Sequence, residues 1–345
     1  MNTHTDHVKN YYSRVLSTSK DLKTTACCSA ESLPVYMRPI VSMIHEEVRS
    51  KFYGCGVPVP SAIEGCTVLD LGSGSGRDVF ALSKLVGENG RVIGIDMTDE
   101  QIEIAQKYVP YHMDLFQYES SNVELRKGYI EDLGDVGIED NSIDLVVSNC
   151  VFNLSPDKER LYKEIFRVLK PGGELYFSDV FTDRRQPAHF AEDPVLLGEC
   201  LGGAQYIEDF RRMLAELGCK DYRVVSQAPI AITNEQVEKK TGNVRYYSIT
   251  VRAFKLDVED RCEDYGQVAT YKGTIPYCEH VFNLDDHHRF ETGKPMLVCS
   301  NTALMLSKTR FSEHFDVQGD TSTHYGLFDC GDSNLNSGEM SAACC

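Results

Sequence analysis

Apolar and polar positions follow two rhythms along this chain. From residue 62 to about 181, short apolar runs alternate with stretches whose apolar residues recur every three to four positions. That alternation predicts strands followed by helices, and a parallel sheet covered on both faces. Strands are predicted at 68–71, at 91–95, just before Gly128, at 143–149 and at 174–179, the last entered through Val168-Leu-Lys-Pro-Gly-Gly173. Upstream, Ile40, Ile44, Val48 and Phe52 stand four apart, which predicts one amphipathic helix over 39–52. Beyond 182 the rhythm fades, leaving a helix at 208–217 and a strand at 243–255. From about 257 the chain is rich in Gly, Asp and Thr with short apolar pieces, which suggests a separate small module with a polar tail from about 330. The expected organisation is an N-terminal arm and helix (1–60), a ligand-binding α/β domain (61–182), a following region (183–256) and a C-terminal module (257–345). The expected fold is α/β, with a mostly parallel, doubly wound sheet.

The turn after the first strand carries the sharpest chemical signal. Asp70-Leu-Gly-Ser-Gly-Ser-Gly-Arg-Asp78 places glycine at every second position, Gly72, Gly74 and Gly76, ahead of a helix-like segment at 79–85. Such a turn lets backbone approach a ligand closely, and the helix start behind it offers free amides. The second strand ends in Asp96, 20 residues after Gly76, where a carboxylate can accept from both hydroxyls of a ribose. An adenosine-bearing ligand follows. The dinucleotide fingerprint G-x-G-x-x-G fails in both registers, because its last position falls on Arg77 or Val79. The loop is instead similar to the first motif of Rossmann-like methyltransferases that bind S-adenosylmethionine. Gly128-Tyr-Ile-Glu-Asp132 then borders the adenine.

Composition narrows the substrate. The formal net charge is −17, with 25% charged and 42% hydrophobic residues over 345 positions. Nucleic-acid binders need a basic footprint, so a small-molecule substrate is expected and no nucleic-acid partner. No apolar run approaches the ~20 residues of a membrane helix. The polar start, Met1-Asn-Thr-His-Thr-Asp, lacks the apolar core of a signal peptide. The expected location is the cytosol, with no membrane partner.

Thirteen cysteines in a chain of that kind point to thiol chemistry or soft-ion binding. Cys55 lies in Phe52-Tyr-Gly-Cys-Gly56 and Cys200 in Gly198-Glu-Cys-Leu-Gly-Gly203, both flanked by glycine. Cys150 directly follows the fourth strand, at the sheet end where ligands bind in this architecture. Cys27 is grouped with them, although Cys28 beside it leaves open which of the two is active. Cys66 and Cys219 read as small buried hydrophobes; Cys262, Cys278 and Cys299 are unassigned. No C-x-x-C pair occurs, so a structural zinc site is not indicated. Three thiols from separate segments suit a soft ion taken up reversibly.

With these segments in place, the chain resembles the arsenite methyltransferases from about Asp21 to about Lys255. The resemblance rests on Phe52-Tyr-Gly-Cys-Gly56, the glycine loop, Gly94-Ile-Asp-Met97, Gly128-Tyr-Ile-Glu131, Ser148-Asn-Cys150 and Gly198-Glu-Cys-Leu-Gly-Gly203. It implies a class I methyltransferase fold and methylation of trivalent arsenic with S-adenosylmethionine. Cys55, Cys150 and Cys200 would hold arsenic(III) as thiolates while its lone pair takes the methyl, with Cys27 as the family's further catalytic thiol. Tyr53, Gly54, Asp70, Gly72, Gly74, Gly76, Asp96, Met97, Ile130, Glu131 and Asn149 would hold the methyl donor: Tyr53 and Asn149 at the sulfonium, Asp96 at the ribose, Ile130 and Glu131 at the adenine. Partners implied are arsenite, methylated trivalent arsenicals, glutathione, and thioredoxin or a similar reductant. A thiol reductant would be required and no permanently bound metal is expected. The alternatives are a C- or O-methyltransferase of a lipid or quinone-like molecule, which would not need Cys150 or Cys200, and a non-catalytic thiol-based metalloid binder, which would not need Asp96 or the glycine turn.

Overall fold

The computed structural model describes residues 33–52, 54 and 56–330. Among the described residues, the N-terminal arm contains two short helices, α1 (Met37–Met43) and α2 (Glu46–Ser50). The single helix expected over 39–52 is broken at Ile44, which takes an extended conformation. The apolar spacing runs on across the break, but His45 stops the helix: its Nδ1 accepts from the Glu47 amide at 3.2 Å. Its own amide donates to Nε2 of His112 at 3.3 Å.

Next come β1 (Thr67–Leu71), α3 (Arg77–Val86), β2 (Arg91–Asp96), α4 (Asp99–Phe116), β3 (Val123–Lys127) and β4 (Ile143–Asn149). They are followed by α5 (Lys158–Val168), β5 (Leu169–Thr182), α6 (Pro194–Gly198), β6 (Gln205–Tyr206) and α7 (Ile207–Glu216). The unit ends with β7 (Tyr222–Ile230), α8 (Glu235–Thr241) and β8 (Tyr246–Phe254). The sheet order is β3-β2-β1-β4-β5-β8-β7, with β6 beside β5. The strands from β3 to β5 pair in parallel, and β8 and β7 close the edge antiparallel. Residues 222–254 are therefore continuous with the sheet. β7 reads weakly in sequence because an edge strand tolerates Arg223, Ser226, Gln227 and Pro229.

Both sheet faces are covered. Along β1, Val68 enters one apolar cluster with Val48, Phe80, Leu82 and Phe116, while Leu69 enters the other with Tyr162, Ile165, Phe210 and Leu214. Strands buried on both sides read as continuous apolar runs, which is why the central strands are legible. Among the described residues no helix is long and apolar enough to cross a membrane.

The C-terminal module has its own apolar core of Tyr271, Phe282, Phe290, Leu306, Phe311 and Phe315. It contains β9 (Glu263–Asp264), β10 (Val268–Tyr271), β11 (Val281–Asn283), β12 (Arg289–Glu291), β13 (Pro295–Leu297), α9 (Ser300–Ser307), β14 (Phe315–Gln318) and β15 (Gly326–Leu327). Buried ion pairs fasten it to the sheet. Glu174 on β5 is paired with Arg252 on β8 at 2.8 Å and also with Arg310 of the module. Arg223 on β7 is paired with Asp221 at 2.6 Å and with Asp285 of the module at 3.3 Å.

Candidate active site

A cleft opens at the carboxyl ends of β1, β2 and β4, enclosing about 1150 Å³ of non-atom space that is partly open to solvent. Its floor is the glycine loop. Gly72, Gly74 and Gly76 all take positive φ, at 75°, 52° and 92°. Gly72 also needs its missing side chain, since a Cβ there would lie 2.4 Å from Val151 Cγ2. The Gly74 amide donates to Asp96 Oδ2 at 2.9 Å, and Asp96 Oδ1 accepts from the Thr98 amide at 2.9 Å. Asp96 thus ties the loop to the start of α4, and burial raises its pKa.

Among the described residues, three polar atoms in the cleft wall are buried without a hydrogen-bond partner: Asp70 Oδ2, Ser73 Oγ and Gln101 Oε1. Burial, with Asp78 and Asp96 nearby, holds the Asp70 carboxyl well above the usual carboxylate range. A buried acceptor left unmade is costly, so the wall is complementary to a ligand that brings hydrogen-bond donors and positive charge. S-adenosylmethionine, with an ammonium and a sulfonium, has that chemistry. Met97, Tyr129, Ile130 and Glu131 line one side of the cleft, and Asn149, Cys150 and Val151 the other.

The arm is laced to this floor. Ser75 Oγ donates to Val48 O at 2.9 Å, and the Arg77 guanidinium lies 3.1 Å from the centre of the Phe52 ring. Asn149 clamps Gly56: its Oδ1 accepts from the Gly56 amide at 3.2 Å and its Nδ2 donates to Gly56 O at 3.0 Å. The same Nδ2 donates to Asp78 Oδ2 at 3.0 Å. A Cβ at Gly54 would lie 2.6 Å from Asn149 Oδ1, and one at Gly56 2.4 Å from Ser178 Oγ. Only glycine lets these two positions sit so close to β4 and β5. Tyr53 and Cys55 between them, and Cys27 upstream, lie outside the described residues.

Cys150 and Cys200 come together at the cleft's inner end. Both are buried, and both take the left-handed conformation, with φ of 61° and 60°. That conformation costs a non-glycine residue, and such residues cluster at active sites and ligand clamps. Cys200 Sγ donates to Cys150 O at 3.4 Å. Cys150 is disulfide-bonded. The Gly202-Gly203 pair lets the Cys200 loop lie flat on its neighbours, since a Cβ at Gly203 would come within 1.9 Å of Asn153 O. Beneath this junction Asp179, at the end of β5, accepts from the Asn153 side chain at 2.7 Å and from the Val180 amide at 2.8 Å. Burial pushes Asp179 up to about 7. Lys158 donates into the same knot, to Ser155 O at 3.1 Å.

Two families match in succession: a methyltransferase domain over residues 63–218 and an arsenite methyltransferase C-terminal domain over 264–337. An arsenite methyltransferase of Aquipseudomonas alcaligenes is 52% identical over 94% of both chains. The chain belongs to the arsenite methyltransferase family. The human arsenite methyltransferase is 43% identical over 90% of this chain and 83% of its own. The crystal structure of an arsenic(III) S-adenosylmethionine methyltransferase from Chlamydomonas reinhardtii superposes with a TM-score of 0.84 at 50% identity, covering 86% of this chain and all of that one. The Rossmann-like class I methyltransferase fold is thereby established.

Of the residues expected at the site of an arsenite methyltransferase, Asp70, Gly72, Gly74, Asp96, Met97, Ile130, Glu131, Asn149 and Cys150 line the cleft. Gly76 stands just behind it as the N-cap of α3, Gly54 packs on Asn149, and Cys200 meets Cys150 from outside. Ser73, Arg77, Gln101, Asp179 and Lys158 were not singled out by sequence. Ser73 and Arg77 could have been found, as neighbours of the loop glycines. Gln101, Asp179 and Lys158 had no signal beyond their polarity. Cys219 is a buried thiol that burial pushes up to about 12, and burial also raises half-buried Cys66 and Cys278. Cys299 caps α9, its Sγ accepting from the Thr302 amide at 3.5 Å. Cys262 is disulfide-bonded.

Proposed function

We propose that this protein methylates trivalent arsenic with S-adenosylmethionine, holding the arsenic on cysteine thiolates. The observation that carries this is the meeting of Cys150 and Cys200, each in a strained conformation, at the end of a cleft suited to a cationic adenosine ligand. When bound, S-adenosylmethionine supplies an electrophilic methyl for the arsenic lone pair. Asp70, Ser73 and Gln101 would satisfy their unmatched atoms on that ligand, Asp96 would hold its ribose, and Ile130 with Glu131 its adenine. Asn149 would keep the Gly54–Gly56 segment against the cleft, and Tyr53 would border the methyl donor. Cys55 would complete the thiolate set, and Cys27 would serve with it when the arsenic carries no methyl.

Soft thiolates are the natural ligands of such an ion, and no other resident metal is needed. If these thiols are oxidised, they must be reduced before arsenic binds, by glutathione, or by thioredoxin or a similar reductant. The cytosol, where these reductants act, is the proposed location.

Serine substitutions test the reading by step. Arsenite has three exchangeable substituents and methylarsonous acid only two. Cys150→Ser and Cys200→Ser should abolish methylation of both, whereas Cys55→Ser and Cys27→Ser should block arsenite but spare methylarsonous acid. Normal turnover of both arsenicals by Cys150→Ser or Cys200→Ser, with products resolved by arsenic speciation, would remove the thiolate set.

A further inference from the structure

Lys158 opens α5 and reaches back over the turn that follows Cys150. Its ammonium donates to Asn153 O at 3.4 Å and to Ser155 O at 3.1 Å. An ammonium has three N–H donors, and the third meets no acceptor among the described residues. Asn153 O is the same atom that Gly203 abuts, so the ammonium sits on the seam between the Cys150 turn and the Cys200 loop. Ser155 in turn donates to Glu131 of the cleft wall. The charges that act on the ammonium are Asp179, Glu131 and the Cys200 sulfur.

We propose that Lys158 is the proton donor for the ligand exchange in which Cys200 takes up trivalent arsenic. The proposal rests on the reading that Cys200 ligates arsenic. In the exchange, the S–H of Cys200 and an As–OH bond are replaced by an S–As bond and a water molecule. The As–O bond breaks with its electron pair on oxygen, and that oxygen takes a proton from Lys158. The thiol proton then replaces it on the amine. No electron is transferred and no further reactant is consumed. Hydroxide is a poor leaving group until protonated, because it is the conjugate base of a very weak acid, water. A thiolate, whose thiol has a pKa of about 8.5, departs unaided. Burial lowers the pKa of Lys158, which makes its ammonium a readier donor. Lys158 is thus needed for oxygen-bearing arsenicals and dispensable for thiol-complexed ones.

The test measures arsenic loading by stopped flow on the full chain, following near-ultraviolet S–As absorbance, with a phosphine reductant so that no free thiol competes. The probes are arsenite and its tris-glutathione complex. Lys158→Gln should slow loading from arsenite by about 10²-fold, the usual scale of general acid catalysis, and leave loading from the thiol complex nearly unchanged. Lys158→Arg keeps the charge and the donors but does not release a proton, so it should stay slow with arsenite. Calorimetry with S-adenosylmethionine reports whether each variant is folded; if Lys158→Gln is not, Lys158→Arg carries the comparison. Normal arsenite loading in Lys158→Gln, or equal loss with both probes in a folded variant, overturns the proposal. Full arsenic stoichiometry in Cys200→Ser would instead overturn the reading beneath it, whatever Lys158 does.

Discussion

Replacing Gly72 with alanine should separate two reasons for glycine at the cofactor loop. The first is backbone conformation: at φ 75° an alanine Cβ crowds its own carbonyl, at a cost of roughly 1–2 kcal/mol. The second is packing. The new methyl would lie 2.4, 2.6 and 2.9 Å from Cγ2, Cγ1 and Cβ of Val151, the residue after Cys150. One of the two must shift, and overpacking of this kind costs about 1–3 kcal/mol. Val151 lines the cleft, so the shift would narrow the space for S-adenosylmethionine. Gly72→Ala should therefore weaken the ligand by at least about tenfold, taking ~1.4 kcal/mol per decade, and lower the melting temperature. Val151→Ala removes the methyls that clash but leaves φ unchanged. The double variant should recover the packing share of the loss and keep the conformational share. Calorimetric titration of the two single variants and the double variant closes the cycle. If Gly72→Ala binds normally, or if Val151→Ala brings no recovery, the account of this loop is wrong.

Asp70→Asn should lower affinity without lowering stability. It removes a buried carboxyl whose ionisation is opposed by burial and by Asp78 and Asp96, so the ligand-free melting temperature should not fall. It also removes a charged acceptor worth ~1.5–3 kcal/mol to a cationic ligand, so calorimetry should show weaker S-adenosylmethionine binding; a fall in both would contradict the assignment. His112 provides the pH prediction. Its Nδ1 meets Tyr108 O at 2.7 Å and its Nε2 accepts from the His45 amide, so the folded state needs the neutral ring. Burial pulls its pKa down from 6.5 to about 4. The stabilisation is complete above 6.5 and is lost as pH falls toward 4, amounting to about 2 kcal/mol by pH 5. Urea denaturation at pH 7 and pH 5 should show that His112→Gln loses less stability over this interval than the wild-type chain, and an equal loss in both would refute it.

The parts of the fold that sequence makes legible are those whose causes are local. β1 and β4 are apolar on both faces, and the loop glycines sit where positive φ is obligatory. The helix break at Ile44 was hidden because the spacing of Ile40, Ile44 and Val48 continues through it. What ends the helix is His45, anchored by His112 from 67 residues away. β7 was missed because its partner β8 comes later in the chain, and an edge strand needs little apolar pattern of its own. At the site, glycine flanks drew attention to Cys55 and Cys200, and strand position to Cys150. Their left-handed backbones had no signature, since cysteine does not favour that conformation. Lys158 and Asp179 gained meaning only when the Cys150 turn and the Cys200 loop were seen to share a seam.

Glu174 stands fully buried between two arginines, one contributed by β8 and the other by the C-terminal module. The neighbouring turn is shaped to the same contact, because a Cβ on Gly172 would lie 2.5 Å from Lys308 O. Homology divides this chain near residue 264, yet its electrostatics do not. Recombination between relatives at that boundary would leave the buried Glu174 with Arg252 alone whenever the incoming module lacked an arginine at position 310. Asp285 and Arg223 set the same condition a second time. The piece that can be exchanged between relatives is therefore the module together with Gly172, Glu174 and Arg223 on the sheet. Inheritance of this region should follow those contacts and not the stretch of sequence that carries the module's name.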